Sequence, residues 1–468
     1  MQEAAARPQP IAQPAQPGPA LEAQGVTPYL GFLFLMLSTA TLFDGFDSAM
    51  IGFAAPDVQA TLGITTSQWG GVATLTRLGV MASFVFVFFA DRIGRRRVVM
   101  GTIVGFTLAN FATAFVTSTA EFVACQLVAR LFLTAELSIA IIMVGEEFPA
   151  RLRGRAIAIL TSLATAGVMF MSKLQPYVLL SAGAESNAVH DLGHAMVTGV
   201  QSALGLPSDG AGWRSLYALG VLPLAAILLL RLGMRETRRF QAAKASAAAR
   251  PKATWGELWH DVTLPWHAQY RRRTAIVALL WNCVYLVTGV STVFYVIYAR
   301  GTLHLTPFDV GAIVFWGYAG GVAGSFLGGW LIDRIGRKHT CAGAYVVGAV
   351  SIYALYHVTS VPAQYVSMIV TVMSFAGGLS ATHVYASELF PTEIRATGYG
   401  WTTNLAGRVT EVGGPAVIGL LMARFDLSVP DAIAVLSIGP VIGALLVLRY
   451  APETRGMTLE QIQQRLAS

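Results

Sequence analysis

Two aspartates stand three positions apart inside a long apolar stretch. Asp44 and Asp47 lie in the run from Tyr29 to about residue 54, and side chains at this spacing share one side of an α-helix. Two carboxylates this close in an apolar environment are not easily ionised together, so one of them is suited to binding and releasing a proton. The alternative is a purely structural ion pair with Arg77 or Arg130.

Other charges also stand inside apolar stretches, where a charge is costly and therefore a candidate for function. They are Arg77, Arg130, Glu136, Lys173, Arg408 and Glu411. With the two aspartates, four acids balance four bases. We assign Glu136 and Glu411 to proton coupling, and Arg130, Arg408 and Arg77 to binding an anionic substrate. Two alternatives stay open, because Arg408 and Glu411 could simply neutralise each other and Lys173 could reach the membrane interface.

Depth along the helices supports a common site for three of these charges. Asp44, Arg77 and Arg130 each lie about eight or nine residues from the outer end of their stretch, which is roughly 12–14 Å at the rise of an α-helix. They could therefore share one layer.

Aromatic side chains are concentrated in the second half of the chain, where a planar substrate could stack on them. We predict contributions to substrate binding from Tyr285, Tyr295, Trp316, His383, Tyr385 and Trp401. Core or interfacial packing is the alternative for each ring, and His383 could equally be a proton relay. Gly413, Gly414 and Pro415 are expected to weaken span 11 near Arg408 and Glu411 and to expose backbone groups to a cavity.

The elements that hold these residues are membrane-spanning helices. Of the 468 residues, 54% are apolar and only 12% are charged, which is too few charges for a soluble surface. Apolar runs long enough to cross a bilayer occur at about 29–54, 68–90, 98–117, 121–145, 155–182, 213–233, 274–299, 309–332, 340–359, 364–387, 396–423 and 431–450. The sequence therefore predicts an all-α membrane protein with twelve spans.

The basic residues predict the orientation of these spans. Lys and Arg are concentrated in alternate connections, whereas the longest of the others, from Ser181 to Gly212, contains neither. By the positive-inside rule, the basic connections and both termini are cytoplasmic. Residues 1–27, rich in Ala, Pro and Gln, are expected to be a disordered cytoplasmic leader.

Two motifs occur twice, in the same order. ADRIGRRR (90–97) and LIDRIGRK (331–338) end spans 2 and 8, and GEEFPARLRG (145–154) and SELFPTEIRATG (387–398) end spans 4 and 10. This repetition indicates two pseudo-symmetric six-helix bundles, at 28–233 and 274–450, joined by a cytoplasmic loop (234–273) and followed by a cytoplasmic tail (451–468). We assign gating to Asp91, Arg92, Gly94 and Arg95 in the first loop and to Asp333, Arg334, Gly336 and Arg337 in the second, where glycine permits a sharp turn.

Several other site classes receive little support. The three cysteines, Cys125, Cys283 and Cys341, lie in or beside apolar runs and fit neither a disulfide framework nor a zinc site. HDLGH (190–194) has two histidines at a metal-binding spacing but lacks a third ligand, and we predict no metal and no cofactor. The net charge of +7 belongs mostly to the cytoplasmic connections, so nucleic acid is not an expected partner.

The duplicated loops and the twelve-span layout resemble the major facilitator superfamily over nearly the whole chain after the leader. Within it, DGFDSAMIGFAAP (44–56) is similar to the DGxD signature of the aromatic acid:proton symporters. That resemblance implies import of an aromatic carboxylate with a proton, with Asp44 and Asp47 in the symport role. PETRGMTLEQI (452–462) looks like the tail of sugar porters, but span 7 has YLVTG where those proteins have a glutamine pair.

We therefore expect a proton-coupled symporter for an organic acid, most of all an aromatic one, which works by alternating access as a monomer in the bacterial inner membrane. Its partners would be the acid, protons and membrane lipid. A sugar or polyol symporter is the nearest alternative, and a sensor with a transporter fold is another. A membrane-embedded enzyme is disfavoured, since the chain has no HExxH, GxSxG or nucleotide-binding glycine loop.

Overall fold

The computed structural model describes residues 27–83, 86, 94–180, 185–206, 212–231, 233–234, 236, 255–391, 394–457, 461–462 and 464–465. Its first helices are α1 (Pro28–Leu62), α2 (Thr66–Ala82), α3 (Arg95–Thr113), α4 (Thr119–Glu147), α5 (Ala150–Val178), α6 (Ala188–Leu204), α7 (Gly212–Arg231) and α8 (Trp255–Thr263). They are followed by α9 (Arg271–Gly301), α10 (Pro307–Ile335), α11 (Arg337–His357), α12 (Val361–Glu388), α13 (Arg395–Gly400), α14 (Val409–Phe425), α15 (Val429–Leu436) and α16 (Ile438–Tyr450).

Local sequence signals set several helix ends. Thr65, Ser118 and Thr306 each cap the N-terminus of a helix, and in each case the side chain three residues later bonds back to the cap residue. Gly63 and Gly205 follow α1 and α6 in the left-handed conformation that favours glycine. These caps give the spans defined ends at the connecting loops.

The helices form a twelve-span membrane fold, as predicted. In the described part of the chain, eight stretches are long and apolar enough to cross a bilayer unaided. The other four spans are α2, α3, α5 and α11. The last two spans consist of two helical pieces each, α13 with α14 and α15 with α16.

The packing repeats along the chain. We call α1–α7 the N-half and α9–α16 the C-half. In the N-half α2 packs on α4, α3 on α4 and α7, and α1 on α5 and α7; in the C-half α10 packs on α12, α11 on α12 and α16, and α9 on α14 and α16. Between the halves α2 packs on α14, α5 on α10 and α1 on α9. The pseudo-symmetry inferred from the motifs is therefore present in the packing.

Glycines allow some of these helices to touch through their backbones. A Cβ on Gly45, between the two aspartates of α1, would lie only 1.7 Å from the carbonyl oxygen of Ala164 on α5. A Cβ on Gly324 of α10 would lie 2.1 Å from the carbonyl oxygen of Met373 on α12. Any side chain at these positions would push the paired helices apart.

The most irregular part of span 11 lies before Gly413, Gly414 and Pro415, the residues expected to weaken it. α14 runs through all three, and the irregular backbone lies earlier, with a π-helical turn at Trp401–Leu405 and a 3₁₀ turn at Ala406–Arg408. Asn282 of α9 stabilises this earlier break, because its amide donates to the Ala406 carbonyl at 2.7 Å and its Oδ1 accepts from the Thr410 N–H at 2.9 Å. The polar groups of a neighbouring helix thus replace the lost helical bonds.

The long connection between α5 and α7 contains the amphipathic helix α6. Its Gly193 lies against Ser215 and Leu219 of α7. The rings of His190 and His194 are parallel with centroids 6.1 Å apart. Among the described residues no third His, Cys, Asp or Glu joins them in a metal-binding group.

Candidate functional site

A central cavity lies between the two halves. It has about 1120 Å³ of empty space, solvent at its mouth included, and receives side chains from α1, α2, α4 and α5 of the N-half and from α9, α10, α11, α12 and α14 of the C-half. Its charged lining residues are Arg77, Arg130 and Glu411, and its aromatic ones are Phe53, Tyr295 and Tyr318. Its combination of charged and aromatic lining residues suits a small organic ligand.

The charges of the central cavity favour an anion. The Arg408 guanidinium bonds Glu411 Oε2 at 3.0 Å, so the one lining carboxylate is already paired. Arg130 Nη1 donates to Ser48 Oγ at 2.9 Å and Arg77 Nη1 donates to the Glu411 carbonyl oxygen at 2.9 Å, both neutral acceptors. The described lining therefore has two guanidinium groups for one carboxylate that Arg408 neutralises.

Asp44 faces a different and smaller space, one helical turn from Ser48. This second cavity, of about 310 Å³, lies within the N-half and has Asp44 and Glu136 as its acidic lining residues. Glu136 forms a buried ion pair with Arg231 of α7 at 2.8 Å, and Arg231 is fully buried. The expected common layer therefore holds in part: Arg77 and Arg130 share the central cavity, whereas Asp44 lies next to it.

Asp47 is buried in the N-half and is only 4% exposed. Its neighbour is Asn110 of α3, and its Oδ1 accepts no hydrogen bond. In the described part of the chain, neither Asp47 nor Asp44 forms an ion pair with Arg77 or Arg130 within 4.0 Å. The Arg130 charge nevertheless acts on both aspartates, so the structural alternative for them stays a prediction.

An aromatic cluster surrounds Arg408 in the C-half. Trp281 stacks on Tyr285 with centroids 5.2 Å apart and meets His383 edge-on at 4.7 Å. His383 Nδ1 is 2.7 Å from the hydroxyl of Tyr399, and the Arg408 guanidinium lies 5.7 Å from the Tyr285 ring centroid. Two predicted binding residues, Tyr285 and His383, are thus brought together beside the predicted Arg408.

The remaining predicted aromatic residues are dispersed. Tyr295 lines the central cavity, and its hydroxyl donates to Gln364 at 3.0 Å. Trp316 is 53% exposed and does not line that cavity, and Tyr385 is fully buried. The Trp401 Nε1–H donates to the Val262 carbonyl at 2.5 Å, which anchors α8 to the C-half.

The two predicted gating loops turn at glycine. Gly94 and Gly336 have φ of 111° and 91°, and each immediately precedes the helix that follows its loop. Arg337 pairs with Glu388 of α12 at 3.0 Å and lies 3.9 Å from Asp333, while Arg334 lies over the Trp330 ring at 4.8 Å. Asp91 and Arg92 lie outside the described residues.

A glutamate after each half caps the helix that follows its gating loop. The backbone N–H groups of Arg337 and Lys338 donate to Glu453 at 3.0 and 3.1 Å, and the N–H of Arg96 donates to both oxygens of Glu236. Partial burial raises the pKa of Glu453, but N–H donors, first that of Arg337, outweigh it and hold this pKa below its ordinary value. The sequence signal was a repeated Glu-Thr-Arg at 236–238 and 453–455.

We call the end of the bundle opposite the chain termini the far end. Hydrogen bonds join the two halves between the middle of the bundle and this far end. Arg300 of α9 binds both carboxylate oxygens of Asp57 of α1, at 2.6 and 3.2 Å. Gln175 Nε2 of α5 donates to the Pro307 carbonyl at 2.6 Å, and the Lys173 ammonium lies 4.6 Å from the Phe315 ring centroid. Lys173 thus contacts the opposite half.

The sequence analysis missed several contributors, among them Arg231, Ser48 and Asn282. Arg231 stands at the very end of its apolar run, and Ser48 and Asn282 are uncharged, so a search for charges inside spans passes over all three. Small polar residues inside apolar runs are the signal that could have found the last two.

Comparison with known proteins gives consistent results. Residues 37–407 and 282–466 match the family model described as Major Facilitator Superfamily. The gallate transporter of Pseudomonas putida is 26% identical over 448 residues, which cover 90% of this chain and 92% of the relative. The niacin transporter NiaP of Acinetobacter baylyi is 23% identical over 455 residues, or 92% and 95%. The crystal structure of a D-xylose-proton symporter shares the fold, with a TM-score of 0.70 at 18% identity over 92% of this chain and all (100%) of that one.

Proposed function

Because the chain belongs to the Major Facilitator Superfamily and is a multi-pass membrane transporter, we propose that it carries an aromatic carboxylate across the membrane together with protons. The observation that carries this proposal is the pair of guanidinium groups, Arg77 and Arg130, that line one cavity with aromatic rings. The gallate and niacin transporters among its relatives support the same substrate class.

The substrate would bind through its carboxylate and its ring. A carboxylate between Arg77 and Arg130 would replace the neutral acceptors that these groups now have, and charge-assisted bonds are about twice as strong as neutral ones. The ring would lie against Phe53, Tyr295 or Tyr318. The cluster of Tyr285, His383 and Arg408 then lies on the other side of Glu411.

We assign proton coupling first to Asp44 and Asp47. Protonating Glu136 would leave the buried Arg231 without its partner, which is costly, and protonating Glu411 would do the same to Arg408. Among the described residues Asp44 and Asp47 form no ion pair within 4.0 Å. The positive charge that acts most on both is the Arg130 guanidinium, which would keep its bond to Ser48 when either aspartate gains a proton. Glu136 and Glu411 would stay ionised beside Arg231 and Arg408 during the cycle.

Alternating access would occur by rocking of the bundles at 28–233 and 274–450 about the central cavity. With cytoplasmic termini, the far end faces outward, so the bonds from Asp57 to Arg300 and from Gln175 to Pro307 would close the outer side. The protein would act in the bacterial inner membrane as a monomer, and its activity would be transport, not catalysis.

The substrate class is tested in proteoliposomes with an imposed inward proton gradient and labelled benzoate, nicotinate, gallate or xylose. We expect accumulation of an aromatic acid and a loss of affinity of about tenfold or more for Arg130→Gln, since hydrogen bonds to charged groups contribute about 1.5–3 kcal/mol. The exposed far-end variant Arg424→Gln is the matched control. Accumulation of xylose alone would establish the alternative of a sugar symporter, and stabilisation by a ligand without flux would indicate a sensor.

Proton coupling is tested with Asp44→Asn and Asp47→Asn, measured separately. We expect each variant to lose gradient-driven accumulation but to retain exchange of labelled for unlabelled acid, because exchange does not require net proton movement. Asp426→Asn, exposed at the far end, is the control. A variant with full gradient-driven accumulation would remove that aspartate from the coupling role.

A further inference from the structure

Pro415 leaves a carbonyl in the middle of α14 without its helical partner. Proline has no N–H, so the carbonyl of Glu411, four residues earlier, cannot receive the usual helical hydrogen bond. Arg77 Nη1 donates to this oxygen at 2.9 Å. The donor comes from α2, in the opposite half of the molecule.

The next residue of α14 is also bonded to α2. The backbone N–H of Ala416 donates to Thr74 Oγ1 at 3.0 Å. Thr74 and Arg77 are three positions apart and therefore lie on the same face of α2. One face of the N-half thus satisfies both a carbonyl and an N–H beside the proline of the C-half.

The two helices are in backbone contact at this place. A Cβ on Gly70 would lie 2.1 Å from the Pro415 carbonyl oxygen, and a Cβ on Gly419 would lie 2.2 Å from the Ser67 carbonyl oxygen. The contact continues towards the far end, where Asp57 and Arg300 join the halves. Opening the far end therefore requires α2 to leave the Pro415 segment.

Arg77 also lines the central cavity, together with Arg130 and Glu411. One guanidinium thus both satisfies the α14 backbone and faces the space that we assign to the substrate. An incoming carboxylate is a stronger acceptor than a backbone carbonyl.

We propose that Thr74 and Arg77 form a latch on the Pro415 segment of α14, and that an anionic substrate opens it by drawing Arg77 away from the Glu411 carbonyl. This inference rests on the proposed function for its trigger, whereas the latch itself does not depend on the substrate. Once Arg77 leaves, the Glu411 carbonyl loses this donor, and the Thr74 bond remains with the glycine contacts of Gly70 and Gly419 between α2 and α14. Binding and far-end opening are then linked, because the ligand favours the unlatched state.

The latch is tested by the distance between spin labels at Ala60→Cys and Arg424→Cys, both exposed at the far end on opposite halves, in a chain without its native cysteines. Thr74→Val removes the hydroxyl but keeps the shape of the side chain. Loss of one hydrogen bond should enrich the far-end-open population on the order of fivefold without ligand. Pro415→Ala, which returns an N–H to the Glu411 carbonyl, should act in the same direction.

Two variants serve as controls. Thr74→Ser keeps the hydroxyl and should restore the wild-type distances. Thr76→Val lies on the same helix but off this face, since the Thr76 hydroxyl bonds the Ala73 carbonyl at 3.0 Å, and it should leave the distances unchanged. Thr74→Val and Pro415→Ala distributions that coincide with that of Thr76→Val would overturn the latch.

The trigger is tested by titrating benzoate by calorimetry and by the same distance. If benzoate favours the unlatched state, Thr74→Val should bind benzoate more tightly than the wild type. The gain in affinity can be no larger than the factor by which the variant increases the far-end-open population. Ordinary structural damage would not increase the affinity. Benzoate that binds the wild type without lengthening the far-end distance would disprove the release step. If no aromatic acid binds, the proposed function is wrong and so is the release of the latch by substrate. The spin-label distances measured without ligand would still show whether the latch exists.

Discussion

The Arg300 guanidinium donates two hydrogen bonds to the Asp57 carboxylate, at 2.6 and 3.2 Å, and so joins α9 of one half to α1 of the other. Because both side chains are partly exposed, their pairing contributes about 1 kcal/mol or less. We expect Asp57→Asn to raise the far-end-open population by no more than about fivefold. The measurement is alkylation of a cysteine placed at Val296, in the central cavity, by a maleimide added from the far side.

The charge-reversed pair Asp57→Arg with Arg300→Asp is the control for this prediction. It should return the alkylation rate towards that of the wild type, since the attraction is restored with the opposite polarity. An unchanged rate in Asp57→Asn would show that this ion pair does not hold the far end closed.

The buried pair of Glu136 and Arg231 should matter much more for stability. Arg231→Met leaves the Glu136 carboxylate in an apolar interior, and breaking a buried pair in this way costs about 3–5 kcal/mol. We expect a clear fall in the thermal unfolding temperature in detergent. Glu136→Leu with Arg231→Met should recover most of it, because apolar replacement of a whole buried pair is often neutral. A double variant as unstable as Arg231→Met would argue against this account.

Asn282 should be required for the irregular backbone before α14. Asn282→Ala leaves the Ala406 carbonyl and the Thr410 N–H without this partner, and because both bonds are only partly buried the cost is about 1 kcal/mol for each, the low end for an unsatisfied group. We expect lower stability and faster amide hydrogen exchange confined to residues 401–410. Asn282→Asp keeps the acceptor for Thr410 but loses the donor to Ala406, and it should be intermediate. Uniform exchange changes over the whole bundle would contradict a local role.

Glu453 should stabilise the protein in a manner that depends on pH. Its pKa is depressed in the folded state, so its contribution is present above the ordinary glutamate value of 4.5 and is lost as the pH falls through the lower folded value. Glu453→Gln should therefore lower stability at neutral pH by about 1 kcal/mol, as for a lost helix cap. The difference in unfolding temperature from the wild type should shrink below pH 4.5.

Asp426→Asn is the control for this pH profile, because Asp426 is exposed at the far end and asparagine also tolerates its left-handed backbone. It should follow the wild type at every pH. A Glu453→Gln deficit that stayed constant with falling pH would indicate lost packing, not a lost charge.

The sequence predicted those features that depend on local pattern. The lengths of the apolar runs predicted the membrane spans. The repeated DRxGR motifs predicted sharp turns at glycine, and Gly94 and Gly336 have the positive φ of such turns. Charges inside spans also led to Arg77 and Arg130, which share the cavity. Each of these follows from the composition of one segment or from repetition between two.

The features that it could not predict depend on contacts between distant segments. Pro415 indicates a weakened span, but the sequence does not show that Arg77 and Thr74 of another helix bond the backbone groups beside it. The ion pair of Glu136 with Arg231 joins two helices that are remote in sequence, so the sequence did not predict it. The sequence likewise does not show which face of a helix points to the cavity, and Trp316 is exposed outside it.

The backbone contact between α10 and α12 couples the two helices mechanically within the C-half. A Cβ on Gly328 would lie 2.6 Å from the Cα of Gly377, so almost no side chain separates these helices to absorb a displacement. Tyr318 of α10 faces the cavity at one point of this unit, and Glu388, bonded to Arg337, ends it at the other. We therefore expect a displacement of Tyr318 to move α10 and α12 together and to reach the charges beside the second predicted gating loop, more than ten residues further along the chain.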